Sequence, residues 1–231
     1  MTESTSPAPR VRGSAGAIIA GSLAIALSFG GGAVISLLGN RPLPIDVAWY
    51  EFSNRTRSGP ILAASLFLNV AGSQLIVGVL VPVAAAILFA LRRRGWAAVA
   101  VLLCGISSAP LVTEIKSVLE RPRPDHHLVS VSLSAYPSGH VANLTAVIVV
   151  LALLLGWRWF AVVAVALVAA MALSRTYLNV HWITDDIGGV LLGAGLALTV
   201  WGALAVRIRA ERELHKPQGT TTAASRTGPV V

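Results

Sequence analysis

Between Gly13 and Gly39 no side chain carries a charge, and comparable apolar runs recur along the chain. A helix needs about 20 apolar residues to cross the hydrocarbon core of a bilayer. Further runs lie at Ile61–Leu91, Gly95–Val112, Val141–Gly156, Trp159–Leu173 and Ile187–Val206. Strands of an outer-membrane barrel would alternate apolar and polar over about ten residues, and these runs do not alternate. The expected fold is all-α: a polytopic membrane protein with six transmembrane helices over 13–206, flanked by tails at 1–12 and 207–231. Only 12% of the residues are charged and 55% are hydrophobic. A soluble domain averages about 25% charged, so the balance excludes a disordered chain and disfavours a water-soluble one. The one cysteine, Cys104, lies inside an apolar run and has no partner for an internal disulfide.

Six crossings would put both termini on one side. Arg10, Arg12, Arg92, Arg93, Arg94, Arg158, Arg207, Arg209, Arg212, Lys216 and Arg226 then share a face, which is 11 of the 18 basic residues. The positive-inside rule places that face, with both termini, in the cytoplasm of a plasma (inner) membrane. The net charge of +8 reads as orientation and contact with anionic headgroups rather than nucleic-acid binding. Ile61–Leu91 exceeds one crossing and contains Asn69, Ser73 and Gln74, which predicts a tilt or an interfacial start. Gly13–Gly39 is too long for a signal-peptide core of about 7–15 residues, so the first segment is expected to be retained. The polar tail from Glu211 has the composition of a disordered segment.

The polar residues gather between Lys116 and Asp186, all on the expected outer side, in three clusters. The first runs from Lys116 to Arg123-Pro124. Lys116, Arg121, Arg123 and Arg175 oppose the charge bias. Each alone could snorkel to headgroups, but four near two histidines suit phosphate oxygens. Arg121 and Arg123 flank a proline and are expected to point differently, with at most one facing a site. The second cluster, Tyr136-Pro137-Ser138-Gly139-His140, reads as a helix start. Ser138 suits an N-cap, Gly139 lets a ligand approach, and the free amides form an anion site. An ordinary cap is the alternative. The third runs from Ser174-Arg175 to His181 and Asp185. His181 and Asp185 at i and i+4 are expected to share a helical face, where a carboxylate would fix the ring tautomer and raise its basicity. A capping aspartate beside an interfacial histidine is the other reading. The helix of the fifth run is expected to continue through Ser174 and Arg175 toward Tyr177.

These clusters resemble the three motifs of the type 2 phosphatidic acid phosphatase family, the lipid phosphate phosphatases related to vanadium haloperoxidases. Lys-x6-Arg-Pro stands at Lys116–Pro124, Pro-Ser-Gly-His at Pro137–His140 and Ser-Arg-x5-His-x3-Asp at Ser174–Asp185. The resemblance implies that Lys116, Arg123, Arg175, Ser138 and the Gly139 amide hold phosphate. It implies that His181 attacks phosphorus, Asp185 orients it and His140 protonates the leaving oxygen. Arg121 and Asp186 duplicate signature residue types nearby, and Arg121 and Ser174 are further candidates for phosphate contact. No metal and no cofactor is implied. Asp125, Asp185 and Asp186 could serve a metal mechanism, but the surrounding basic groups argue for direct anion binding, and His126 and His127 read as a solvated loop.

The expected function is a membrane lipid phosphatase acting on phosphatidate, phosphatidylglycerol phosphate or polyprenyl diphosphate at the outer membrane surface. A non-catalytic lipid-phosphate binder or flippase would need the cations but not both histidines. A lipid phosphotransferase would use the same residues as the hydrolase.

Overall fold

The computed structural model describes residues 12–131 and 134–214, all helices and connections with no strand among them. The tails 1–11 and 215–231 lie outside the described residues. The helices are α1 (Arg12–Leu37), α2 (Pro44–Arg55), α3 (Gly59–Ala71), α4 (Val81–Leu91), α5 (Gly95–Leu119), α6 (Gly139–Leu155), α7 (Arg158–Tyr177) and α8 (Ile183–Leu214). A π-helical turn, Ile76–Leu80, leads into α4.

Four helices, α1, α5, α7 and α8, are long and apolar enough to cross a membrane. The pair α3 and Ile76–Leu91 makes a fifth if taken together, bent by 47°. α6 is apolar but has only 17 residues. Six uniform crossings are therefore not what the fold displays: one expected span is broken and one is short. The break falls at 72–75, where the Gly72 amide closes α3 on the Leu68 carbonyl at 2.8 Å and the Ser73 amide turns to the Val70 carbonyl at 3.1 Å. Beyond the break, Pro82 has no N–H to give the Gly78 carbonyl four residues back, and the π turn spans that position. The chain from Val206 onward also differs from expectation, since α8 continues as helix to Leu214.

Large apolar side chains point outward, among them Leu27, Phe67, Val162 and Val165. Small residues line the helix contacts, as lipid-embedded packing demands. A Cβ on Gly195 of α8 would lie 2.7 Å from the Gly21 carbonyl of α1, so these helices approach backbone to backbone. Ala97, Val101, Cys104, Ala146, Val150 and Leu154 build the core at one end, and Ile115, Tyr136, Ala142 and Leu192 build it beneath the motif cluster.

α5 connects two chemically different ends about 37 Å apart at 1.5 Å per residue. At its start, Arg94 and Arg212 both donate to the Leu154 carbonyl at the C-terminus of α6, and Glu211 accepts from the Trp96 amide at 2.8 Å. Cations there complement the helix dipole. At its other end stands Lys116, in the last turn.

Candidate active site

The third motif enters through a reversal after α7. Arg175 occupies the last helical turn. Asn179 then adopts a left-handed φ of 56°, and the Val180 amide returns to the Arg175 carbonyl at 3.1 Å. His181 follows in this reversal, before α8 begins. It does not share a helix with Asp185, contrary to the expectation from their spacing. Trp182 is the residue before α8, and Asp185 in its first turn accepts from the Trp182 amide at 2.7 Å, the reach-back of a capping box. The same carboxylate oxygen lies 3.6 Å from His181 Nδ1, about 0.5 Å beyond a hydrogen bond.

The first motif supplies cations from above. Glu120, in a left-handed conformation with φ 43°, ends α5, and Arg-Pro-Arg-Pro follows without regular secondary structure. Arg123 donates to the Ser134 carbonyl at 2.9 Å and to the Val180 carbonyl. Its Nη1 is 3.3 Å from His181 Nε2. Lys116 Nζ donates to the Ser134 and Ala135 carbonyls at 2.7 and 3.2 Å. Arg121 turns the other way, as the intervening proline predicts. It is fully buried and paired with Asp185 at 2.5 Å and Asp46 at 2.8 Å, so both Nη groups are held by carboxylates.

The second motif begins α6. Ser138 is its N-cap residue, but Oγ makes no capping bond. The hydroxyl and the Asp186 carboxylate are buried and face one another without completing a hydrogen bond. The Ser138 amide donates to the Asp185 carbonyl at 3.0 Å, tying the second motif to the third. A Cβ on Gly139 would meet only Val112 Cγ1 at an ordinary 3.5 Å, so packing does not require glycine there. His140 sits in the first turn with Nε2 3.1 Å from the Asn69 carbonyl. Ser174 is buried against Met171, with Oγ 3.9 Å from the sulfur.

Two residues join these groups from outside the motifs. Asn69, next to the break after α3, meets His140 through its carbonyl and accepts from Arg175 Nη1 at 2.6 Å. A polar residue in an apolar run was its only signal. Asp46 joins through Arg121, and a lone acid beside apolar neighbours was its signal.

Burial, then the charges of Lys116, Arg123 and Arg175, and then His140, hold His181 well below the usual histidine range. The ring is therefore neutral at neutral pH. With the Asp185 carboxylate facing Nδ1, we assign the proton to Nδ1, which leaves the Nε2 lone pair toward Arg123. A neutral imidazole among fixed cations can attack an electrophile that carries negative charge.

Beside this cluster an apolar groove of about 440 Å³ opens between α2, α3 and α7, lined by Trp49, Phe52, Ile61, Leu68 and Leu173. Leu68 adjoins Asn69 in the chain, and Ser174, also in its wall, adjoins Arg175.

The PAP2 superfamily model matches residues 94–209, about half of the chain. A decaprenylphosphoryl-5-phosphoribose phosphatase of Mycobacterium tuberculosis is 34% identical over 148 residues, covering 61% of this chain and 78% of the relative. Phosphatidylglycerophosphatase B of Bacillus subtilis is 32% identical over 120 residues, covering 48% of this chain and 59% of the relative. The crystal structure of a transmembrane PAP2 type phosphatidylglycerolphosphate phosphatase from Bacillus subtilis superposes with a TM-score of 0.63. That match covers 86% of this chain and 98% of the other at 22% identity, and it carries the fold. With the three motif clusters drawn together at one end of this fold, the chain belongs to the PAP2 superfamily.

Proposed function

We propose that the protein is an integral-membrane lipid phosphatase that removes a terminal phosphate from a lipid phosphate or diphosphate through a phosphohistidine intermediate. The observation that carries this reading is the neutral His181 ring, backed by Asp185 on one nitrogen and facing Arg123 with the other.

In the first step His181 Nε2 forms a bond to phosphorus as the phosphorus–oxygen bond to the lipid breaks, and His140 gives its proton to the departing oxygen. In the second, His140 takes a proton from water, whose oxygen displaces His181 and releases inorganic phosphate. Lys116, Arg123, Arg175, the Ser138 hydroxyl and the Gly139 amide hold the phosphoryl oxygens. Fixed donors of this kind stabilise charge where it develops without reorganising. The small Gly139, not demanded by packing, supports close approach of an anion to the helix start.

The groove beside Arg175 suits the apolar part of a lipid whose phosphate enters the site. The relatives' substrates, a phosphorylated polyprenyl sugar and phosphatidylglycerol phosphate by their names, favour a phosphomonoester on a lipid. Six crossings, with the bent α3–α4 segment and the short α6 as two of them, put the Arg94 end in the cytoplasm by the positive-inside rule and the site outward.

The test is phosphate release by purified protein in detergent. The panel is decaprenylphosphoryl-5-phosphoribose, phosphatidylglycerol phosphate, phosphatidate and a polyprenyl diphosphate. Release from at least one, abolished in His181→Ala, is the expected result. Binding of these lipids without release would make the protein a lipid-phosphate binder, and phosphate appearing on an alcohol acceptor instead of water would make it a phosphotransferase.

A further inference from the structure

Three charged side chains, Asp46, Arg121 and Asp185, are completely buried and bonded in series behind His181. We propose that Asp46 and Arg121 are positioning residues that set the Asp185 carboxylate against His181, making α2 part of the active-site framework. This rests on the reading of His181 as nucleophile.

The geometry is over-determined. Asp46 Oδ2 accepts from Arg121 Nη2 at 2.8 Å and from the Leu43 amide at 2.9 Å. Its Oδ1 accepts from the Thr184 amide at 3.0 Å and the Thr184 hydroxyl at 2.9 Å. One carboxylate thus caps the starts of both α2 and α8. Arg121 Nη1 spans Thr184 Oγ1 at 2.8 Å and Asp185 Oδ1 at 2.5 Å. Asp185 Oδ2 is left with the Trp182 amide and His181 Nδ1. Every oxygen of both carboxylates has an assignment, and the last free direction points at the histidine.

A buried guanidinium is costly unless paired, and one carboxylate would suffice to neutralise it. The second leaves the trio with one net negative charge. His181 gains positive charge when Nε2 bonds to phosphorus while Nδ1 keeps its proton, and the surplus offsets it. Arg121 meanwhile holds Asp185 Oδ1 at 2.5 Å, so that Oδ2 stays turned toward the Nδ1 edge of His181. A simple staple between α2 and α8 would need neither the surplus charge nor the 3.6 Å approach to His181.

Charge changes on the two residues should therefore move His181 in opposite directions. The groups acting on the His181–Asp185 pair are Lys116 of α5, Arg121 and Arg123 of the following segment, Tyr136 before α6, His140, Arg175 of α7, Asp186 of α8 and Asp46 of α2. Asp46→Asn removes a negative charge and lowers the His181 titration midpoint. Arg121→Gln removes a positive one and raises it. Arg121→Lys keeps the charge but loses the fork, so the midpoint stays while kcat falls.

The experiment is a histidine-ring NMR titration of full-length protein in detergent, with His181 assigned from His181→Gln, alongside kcat and KM for each variant. Asp46→Asn is expected to lower kcat about 10- to 100-fold, the scale of a small misplacement, with KM within about twofold. Opposite midpoint shifts for Asp46→Asn and Arg121→Gln carry the proposal. If Arg121→Gln does not fold, a downward shift in Asp46→Asn together with an unmoved midpoint in Arg121→Lys carries it. Folded Asp46→Asn and Arg121→Lys proteins with the wild-type midpoint and wild-type kcat overturn it, as does activity lost only in step with folding while the midpoint is unchanged. The titration needs no turnover. An inactive wild type would therefore sink the phosphatase reading while the ring shifts still judged the relay.

Discussion

The ring of Tyr136 occupies the space that a side chain on Gly188 would need: a Cβ there would lie 2.4 Å from the phenolic oxygen. The hydroxyl donates to the Ser28 carbonyl at 2.5 Å, so the ring is seated between α1 and α8. Ser28 in turn donates to the Gly188 carbonyl at 2.9 Å. Because Tyr136 directly precedes Pro137-Ser138-Gly139-His140, its seat sets where α6 and its histidine begin.

Gly188→Val must push the ring out. Overpacking of this kind costs about 1–3 kcal/mol, and kcat should fall with it, because Ser138 and His140 move together. Tyr136→Phe keeps the ring and loses one hydrogen bond, about 0.5–1.5 kcal/mol, with kcat nearly unchanged. Thermal unfolding and kcat on the two variants check this. A fully active Gly188→Val would show that the seat does not govern the site.

Metal removal should leave turnover intact. Lys116, Arg123 and Arg175 supply the positive charge that a metal would otherwise bring to the phosphoryl group, while the carboxylates of Asp46 and Asp185 converge on Arg121. EDTA-treated protein is expected to keep its rate, and vanadate, a mimic of five-coordinate phosphorus, to inhibit it. Activity lost in EDTA and regained with Mg²⁺ refutes the metal-independent mechanism.

The depressed His181 titration has a consequence for stability with a definite sign. Burial and the neighbouring cations keep the folded ring neutral below the pH at which an unfolded histidine takes a proton, about 6.5. As pH falls below that value the unfolded state gains a proton that the folded state refuses, so stability declines by up to about 1.4 kcal/mol per pH unit until the folded ring also titrates. His181→Gln has no such proton. Melting temperatures of the two proteins should therefore draw apart below pH 6.5 at the wild type's expense. Parallel curves from pH 7.5 to 5 would mean that the ring is not held neutral.

The apolar runs were legible as helices because about 20 uncharged residues leave few alternatives in a bilayer. The continuation of α7 through Arg175 was legible too, since 15 residues fall short of a crossing. α2 was not: Asp46, Glu51 and Arg55 among its 12 residues keep it from reading as an apolar run, and buried pairing through Asp46 ties it to the rest of the fold. Arg121 and Asp46 stand 75 residues apart, and no local pattern links them. The spacing of His181 and Asp185 suggested a shared helix, but the helix starts after Trp182, and a capping geometry brings them close instead. For Arg121 and Arg123, the rigid proline between them announced that they would diverge, though not which one would face the histidine.

Orientation is testable without substrate. Ser130 and Arg92 are both exposed, in the connection that carries the first motif into the second and in the arginine turn at the opposite end of α5. In a Cys104→Ser background, Ser130→Cys should react with an impermeant thiol reagent in intact cells and Arg92→Cys only after lysis. The reverse pattern would turn the site toward the cytoplasm.

The two histidines should fail differently. His181 has a carboxylate 3.6 Å from one nitrogen and turns the other toward the Arg123 cation, where a phosphoryl group would be held, which suits a nucleophile, whereas His140 stands in the first turn of α6 with Nε2 against the Asn69 carbonyl, which suits a proton carrier. Proton transfer by a positioned group contributes about 10²–10⁴-fold. His140→Ala should lose roughly that much with a lipid alkoxide as leaving group and much less with an activated aryl phosphate, which departs without a proton. His181→Ala should be inactive with both, since no phosphoenzyme can form. Asp185→Asn should fall between, because the ring stays placed while its tautomer loses support. The deciding measurement is trapping of acid-labile phosphohistidine from labelled substrate in each variant. Label is expected in His140→Ala, where formation from the aryl phosphate outlasts hydrolysis, and none in His181→Ala. If His181→Ala traps label and His140→Ala does not, the roles are exchanged, and the carboxylate chain through Arg121 serves an acid instead of a nucleophile.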